Sequence, residues 1–148
     1  MMALPAGLLL FDTSIYIRHT RSEKFEWLDD SRLFRRTLLT AVVASELNAG
    51  TRSPSDKRDL DDLCLSHRHL GHFSSPSAEM WIQAGSLMRR ARSTFGDMDF
   101  AHHFRDALIG LEAAQAGATL VTDHAAHFRR WKSLLASAGT TLKLFPLS

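Results

Sequence analysis

Residues 8–14 read Leu-Leu-Leu-Phe-Asp-Thr-Ser, and this stretch decides the fold because four apolar residues run directly into an acidic one. A continuous apolar run is typical of a strand that is buried on both faces, and such strands usually belong to parallel sheets. The run from Leu38 to Val43, which leads into a predicted helix around Glu46, and the run from Ala118 to Thr122 repeat the pattern. A last short strand is predicted from Thr141 to Phe145.

Helical patterns lie between these strands. Leucine-spaced charged residues cover 55–70, and apolar stripes at helical spacing cover 77–95 and 98–117. Strands that alternate with helices, without a hairpin signature, predict an α/β fold with a mainly parallel sheet. At 148 residues, with no repeat and no domain-separating linker, the chain is predicted to form a single domain over 1–148.

Composition limits the setting of the protein more than its activity. Hydrophobic residues make up 45% and charged residues 23% of the chain, which excludes a disordered or collagen-like protein. The one cysteine, Cys64, cannot form an internal disulfide, which favours a reducing compartment. No segment has the length of a membrane span or the pattern of a signal peptide, so we expect a cytoplasmic protein without a membrane partner. A net charge of +2 permits a nucleic-acid partner without arguing for one.

The placement of the acidic residues carries the functional information. Asp12 and Asp123 each follow an apolar strand, and Glu46 lies just beyond a third. Because ligands bind at the carboxyl ends of strands in open parallel sheets, these groups are expected to meet in one crevice. Asp106 can join them if its helix lays the small residues between 110 and 117 against the sheet. Clustered carboxylates without cysteine suit Mg²⁺ or Mn²⁺ better than a closed zinc site.

Each acid also has a simpler interpretation. An acidic residue after a strand is often a helix N-cap or a solvated turn residue. Glu46 and Asp106 are harder to explain in this way, because both lie among apolar neighbours, where a carboxylate is unfavourable unless it is paired. The residues alone therefore favour a metal site over a set of unrelated caps.

Four segments together resemble the signatures of PIN-domain ribonucleases, in particular the VapC-type toxins of bacterial toxin–antitoxin pairs. They read Leu-Leu-Phe-Asp-Thr-Ser at 9–14, Val-Ala-Ser-Glu-Leu-Asn-Ala-Gly at 43–50, Arg-Asp-Ala-Leu-Ile-Gly-Leu-Glu-Ala-Ala at 105–114 and Leu-Val-Thr-Asp-His-Ala-Ala-His-Phe at 120–128. Each motif is short, but their order, their spacing and the total length all fit. The resemblance spans essentially the whole chain.

The resemblance implies a three-layer α/β/α sandwich with Asp12, Glu46 and Asp106 as metal-binding acids and Ser14 as the hydroxyl that supports the first of them. One or two Mg²⁺ or Mn²⁺ ions would activate water for attack on an RNA phosphodiester and stabilise the developing charge. The resemblance also implies a homodimer and a small antitoxin protein that blocks the crevice.

The fourth segment departs from the family pattern. After Thr122 the family places an acid or an amide at position 124, whereas this chain has His124, with Asp123 before it. Either Asp123 takes the role through a shifted turn, or His124 replaces it as a nitrogen ligand or water-positioning group, or the site has lost a ligand and binds metal weakly. We expect an intact core of three acids with Asp123 and His124 at its rim.

Two other functions compete with that of a ribonuclease. One is a catalytically weakened PIN-like module that binds RNA or a protein partner. The other is a phosphotransfer enzyme of the haloacid-dehalogenase type, which the sequence Phe-Asp-Thr-Ser at 11–14 suggests. That family needs a second aspartate two positions after the first, where this chain has Ser14, so the phosphotransfer alternative is the weakest of the three.

Histidines near the motifs have simple explanations. The His-x-His-x-x-His run at 67–72 could suggest zinc, but no cysteine or carboxylate cluster accompanies it, and an exposed helix end is favoured. His102 and His103 lie one turn before Asp106 and could hydrogen-bond it, although a position on the helix surface is favoured.

Basic and aromatic residues give weaker signals. Arg129 and Arg130 are the better RNA-contact candidates, because their cluster begins a few residues after the fourth segment. Trp27, Trp81 and Trp131 are expected in the core or in an interface rather than stacked on bases.

Overall fold

A computed structural model describes residues 3–21, 26–97 and 99–147, except for the side chains of residues 21, 26 and 27. In chain order the strands are β1 (Leu9–Phe11), β2 (Thr37–Thr40), β3 (Phe73–Ser74), β4 (Thr119–Thr122) and β5 (Lys143–Pro146). The α-helices are α1 (Thr13–Arg21), α2 (Ser31–Arg35), α3 (Ala41–Ala49), α4 (Pro54–His69), α5 (Ala78–Phe95), α6 (Phe100–Ala116) and α7 (Ala125–Ser137), and a 3-10 helix spans Glu26–Asp29.

The five strands form one sheet in the order β3-β2-β1-β4-β5, and every pairing between them is parallel. Helices cover both faces of this sheet, which confirms the predicted α/β/α fold. The chain runs from β1 to one edge through β2 and β3, and then returns to the other side of β1 with β4. The strand order therefore reverses between β1 and β4, and such a switch point is where open parallel sheets bind ligands.

The two strands at the switch point are entirely buried, as their apolar sequences require. Leu9 pairs with Thr119 and Phe11 with Val121, so that both strands end at the same level. The backbone N–H of Asp12 then donates to the carbonyl of Val121 over 3.1 Å. This register places Asp12 directly beside Thr122, the residue that ends β4.

The second apolar run changes conformation earlier than predicted. The strand ends at Thr40, whose hydroxyl caps α3 by accepting from the N–H of Val42 at 3.1 Å. Val42 and Val43 are buried residues of the helix rather than of the strand. An apolar run cannot distinguish a buried strand from a buried helix, so only the threonine marked the change. The helix ends at Ala49 and is capped by Gly50.

The long helices lie where the apolar periodicity predicts them, with bounds that differ by one or two residues; residue 98, the predicted start of α6, lies outside the described residues. The sequence analysis missed β3, α2, α7 and the 3-10 helix. β3 has only two residues, and α7 begins after His124, which makes no side-chain capping bond. The last strand begins at Lys143, two residues later than predicted.

The small residues of α6 were expected to lie against the sheet. At Gly110 the neighbours are instead Leu142, in the segment before β5, and Leu135 of α7, which lie 3.7 and 3.9 Å from the position of an added Cβ atom, at ordinary packing distances. Gly117 is exposed and ends the helix with φ of 68°, a conformation that favours glycine.

Two of the three tryptophans can be compared with the prediction. Trp131 is buried in the core, whereas Trp81 is 50% exposed and stacks on Phe104 with 5.6 Å between the ring centroids. Trp81 is therefore not a core residue, and of the predicted core or interface position only the interface stays a prediction; the side chain of Trp27 lies outside the described residues. No helix in the described ranges is long and apolar enough to cross a membrane.

Candidate functional site

Asp12 is held from two sides at the carboxyl ends of β1 and β4. Its side chain is buried, and its two carboxylate oxygens accept hydrogen bonds from the hydroxyls of Ser14 and Thr122. Burial raises the pKa of Asp12, and these two hydrogen bonds act in the opposite direction. The supporting position predicted for Ser14 is thus observed as a contact, and Thr122 joins it from the neighbouring strand.

Glu46 reaches the same crevice from α3. The hydroxyl of Thr13 donates to its Oε1 over 2.8 Å, and Nε of Arg105 donates to its Oε2 over 3.3 Å. Neither partner was a candidate in the sequence analysis. Thr13 could have been found from its place in the Asp-Thr-Ser sequence, since the first turn of α1 must face the strand end that it follows.

Asp106 enters from α6 and meets mainly negative charge. Burial, and then the charges of Glu46 and Asp12, raise the pKa of Asp106 to about 7, against the opposing influence of His124 and Arg105. In the part of the chain that the structure describes, no donor lies within hydrogen-bond distance of its carboxylate; the nearest nitrogens are 3.9 and 4.0 Å away. Asp106 is therefore near enough to Glu46 and Asp12 for their charges to act on it, and it lacks the donors that those two acids have.

The three acids share this crevice without forming one tight ligand set. Among the described residues, the group whose ligand atoms all lie within 4.8 Å of one another is His102, Asp106 and His127. Like charges repel, and Asp12 and Glu46 direct their oxygens toward hydroxyl and guanidinium donors. The site still fits a divalent cation, because its ligand atoms are carboxylate oxygens and a cation would neutralise the negative charges of Glu46 and Asp12 that add to the effect of burial on Asp106.

Asp123 and His124 lie beside the acids, at the rim. Asp123 accepts from Nη1 of Arg18 at 2.9 Å and from the hydroxyl of Ser14 at 3.3 Å. His124 has an exposed side chain, but its backbone N–H donates to the Thr122 hydroxyl at 2.9 Å. Asp123 is thus linked to Asp12 through Ser14, and the backbone of His124 is linked to it through Thr122.

The predicted RNA-contact residues lie on α7. Arg129 and Arg130 are both exposed, and the guanidinium of Arg130 lies 5.3 Å from the centre of the Phe95 ring. Arg18 and Arg105 are the arginines that contact the acids themselves. The signal that could have identified Arg105 is its position next to Asp106 in the third motif.

The histidine run at 67–72 is not an exposed helix end throughout, as was expected. His67 is buried, its ring lies 4.4 Å from that of Phe34, and burial, together with the nearby His72, lowers its pKa to about 4. Its ring therefore forms part of the packing between α4 and α2. His102 is exposed and His103 half-buried, so the predicted surface position holds for His102.

Solved structures with the same fold match nearly the whole chain. One is VapBC2 from Rickettsia felis bound to a DNA fragment from its promoter, with 19% identity, a TM-score of 0.66, and coverage of 95% of this chain and 99% of that one. Another is FitAcB from Neisseria gonorrhoeae, with 21% identity, a TM-score of 0.61, and coverage of 93% and 96%. DNA-bound VapBC from Salmonella typhimurium matches with 13% identity, a TM-score of 0.63, and coverage of 95% and 98%.

These likenesses confirm the predicted PIN-like fold. A scan against protein-family models gives no match, and a search of curated proteins gives none either. At such low identities the fold is what the chain shares with these structures, and its function has to be argued from its own residues.

Proposed function

We propose that this chain is a metal-dependent endoribonuclease that cleaves RNA phosphodiesters, and that it is the toxin of a toxin–antitoxin pair. The observation that carries the proposal is the state of Asp106, whose pKa is raised to about 7 by burial first and then by the charges of Glu46 and Asp12. Among the described residues Asp106 has no hydrogen-bond donor, and an acid of this kind beside the switch point of a parallel sheet suits a divalent cation and an anionic substrate. The fold shared with VapBC and FitAB structures supports this assignment.

The three acids would hold one or two Mg²⁺ or Mn²⁺ ions. When bound, such an ion lowers the pKa of water and stabilises negative charge on a phosphate. The protein would contribute carboxylate oxygens that are already held in place to bind the ion. Ser14 and Thr122 fix both oxygens of Asp12, and Thr13 fixes one oxygen of Glu46.

Arginines would supply the contacts to RNA. Arg105 donates to Glu46 and has a side chain that is 41% exposed, so its planar group borders the crevice and can reach a phosphate. Arg129 and Arg130 extend positive charge along α7, away from the acids. Together they would hold the phosphate backbone of RNA and leave its bases free.

The partners belong to the same proposal. The structural neighbours VapBC2, FitAcB and FitAB give a precedent for a small antitoxin protein as partner. We also propose a homodimer, because the sequence resembles VapC-type toxins. Co-expression of this chain with the product of an adjacent small gene, followed by copurification, would test the antitoxin partner directly.

An RNA cleavage assay under Mn²⁺ titration tests the activity. Wild-type protein is expected to cleave single-stranded RNA in proportion to Mn²⁺ occupancy, and Asp12→Asn is expected to abolish cleavage. Added Mg²⁺ should raise the melting temperature of the wild type more than that of Asp12→Asn, because a cation that binds the folded state stabilises it. The exposed Asp59→Asn on α4 is the matched control and should behave like the wild type.

Two results would contradict the proposal. Equal Mg²⁺ shifts in wild type and Asp12→Asn would mean that Asp12 is not a ligand. RNA binding without cleavage at saturating Mn²⁺ would instead favour the weakened binding module.

A further inference from the structure

The first turn of α6 and the first turn of α7 bring four histidines together beside Asp106. The ring centroids of His102 and His103 are 5.4 Å apart, those of His103 and His127 are 5.6 Å apart, and those of His124 and His127 are 6.0 Å apart. These rings come from two helices that are remote in sequence. The proposed nuclease needs none of them as a ligand.

Three of the side chains in this region point metal-binding atoms at one another. Nε2 of His102 lies 3.9 Å from Oδ2 of Asp106, and Nδ1 of His127 lies 4.0 Å from the same oxygen. All three atoms lie within 4.8 Å of one another. These separations are too long for hydrogen bonds, so the two imidazoles are not engaged as donors to Asp106.

The spacing is close to what an ion requires. Ligand atoms at the usual zinc distances are about 3.3 Å apart around a tetrahedral ion, so each histidine has to approach Asp106 by roughly 0.6 to 0.7 Å, and the two histidine nitrogens have to approach each other by at most about 1.5 Å. The side chains of His102 and His127 are 48% and 44% exposed, which leaves them room to rotate and leaves the site open to solvent. His103 stacks on the ring of His127 at an interplanar angle of 27° and supports it from one side.

We propose that His102, Asp106 and His127 form a site for a transition-metal ion of the Zn²⁺ type, separate in its ligand chemistry from the all-oxygen set of Asp12 and Glu46. Two imidazole nitrogens and one carboxylate oxygen favour Zn²⁺, Co²⁺ or Ni²⁺ over Mg²⁺, which prefers oxygen. Three protein ligands leave a fourth position for water.

The site shares Asp106 with the proposed nuclease centre. An ion held by the two histidines would therefore withdraw Asp106 from the Mg²⁺ or Mn²⁺ ligands, and Zn²⁺ would inhibit cleavage. This regulatory consequence rests on the proposed function, whereas the binding site itself does not.

Direct metal binding tests the site without an activity assay. Untagged full-length protein, freed of metal with a chelator, is titrated with Zn²⁺ by calorimetry and with Co²⁺ by visible absorption, which reports nitrogen ligation and coordination number. Wild type is expected to bind one ion per chain in the presence of millimolar Mg²⁺. His102→Gln and His127→Gln should each weaken binding at least about tenfold, as loss of a metal partner does.

His69→Gln is the matched control. His69 is an exposed histidine on α4, outside the cluster, and this variant should bind Zn²⁺ as the wild type does. Because both cluster histidines are half-exposed, their replacement should leave the fold intact, which a melting curve of each metal-free variant checks.

Three outcomes separate the two proposals. Unchanged Zn²⁺ affinity in both His102→Gln and His127→Gln would overturn the site, whether or not the protein cleaves RNA. Tight Zn²⁺ binding that both substitutions weaken, in a protein that cleaves no RNA with any metal, would support the site and count against the nuclease. Zn²⁺ inhibition of Mn²⁺-dependent cleavage that His102→Gln relieves would support both.

Discussion

Helix α6 carries a buried acid, Glu112, and a partly buried one, Asp106, six residues apart, and their surroundings are opposite. Glu112 is 4% exposed and accepts hydrogen bonds from the hydroxyls of Thr40 and Ser74, at the ends of β2 and β3. Asp106 has a side chain that is 14% exposed and faces the charges of Glu46 and Asp12. Burial raises the pKa of both acids, but only Glu112 is provided with donors by its own fold.

Glu112 therefore has a structural role, whereas Asp106 is left without hydrogen-bond partners among the described residues and is available for function. Glu112 ties α6 to two strand ends, so its interactions are complete within the protein. Burial, and then the charges of Glu46 and Asp12, destabilise the ionised form of Asp106, which is unfavourable for a purely structural residue. Strongly perturbed carboxyls in a crevice are candidates for function on physical grounds.

The largest expected effect comes from neutralising each acid in turn. Asp106→Asn should lower RNA cleavage at least about a hundredfold, because it removes a ligand rather than one of its supports. Glu112→Gln should leave cleavage close to that of the wild type, because Thr40 and Ser74 do not touch the acids of the crevice. Cleavage rates at saturating Mn²⁺ measure both.

The comparison would break if both variants lost activity equally. Melting curves guard against a trivial cause: Asp106→Asn removes a destabilising charge and should melt no lower than the wild type in the absence of metal. A loss of activity with a lowered melting temperature in both variants would mean that α6 acts only through the fold.

The sequence predicted the elements that bury apolar surface. The strands β1 and β4 and the helices α5 and α6 lie where the apolar pattern predicts them. A strand buried on both faces is continuously apolar, and a helix buried on one face has an apolar stripe, so both can be recognised in the sequence. The bend at Thr40 and the strand of two residues at Phe73 leave no such record. They depend on hydrogen bonds and on pairing with a distant strand.

The site was predictable as a set of acids but not as a set of contacts. Motif order brought Asp12, Glu46 and Asp106 to one crevice, whereas Arg18 and Arg105 became visible only in three dimensions. His127 was missed because its nearness to Asp106 depends on how α7 packs on α6. No pattern within a single segment encodes that packing.

Asp123 is intermediate between Glu112, which has two donors, and Asp106, which has none in the described part of the chain, and a second prediction concerns this residue. It has donors, as Glu112 does, but one of them is Ser14, which also holds Asp12. Asp123→Ala should lower cleavage about tenfold by releasing Ser14, in line with the loss of an outer partner of a metal site. His124→Ala should lower it far less, because the backbone N–H of residue 124, rather than the ring, bonds to Thr122.

Cleavage rates of both alanine variants at saturating Mn²⁺ distinguish the two residues. A silent Asp123→Ala together with an inactive His124→Ala would assign the missing family position to the histidine ring.

The smallest expected effect is a change in the stability of the protein when Glu112, which has hydrogen-bond donors within the fold, is replaced. Burial raises the pKa of Glu112 above its ordinary value of 4.5, so in the window above that value the folded protein keeps a proton that the unfolded chain has released. The free energy of unfolding must therefore fall as the pH rises through this window, and it levels off once Glu112 is ionised in the folded state as well. Glu112→Gln has no such proton to lose. Relative to the wild type it should gain stability between pH 4 and pH 8, because only the wild type loses stability as Glu112 is deprotonated. Urea unfolding of both proteins at the two pH values measures the difference, and a variant that loses stability relative to the wild type as the pH rises would show that the hydroxyls of Thr40 and Ser74 hold Glu112 as an anion.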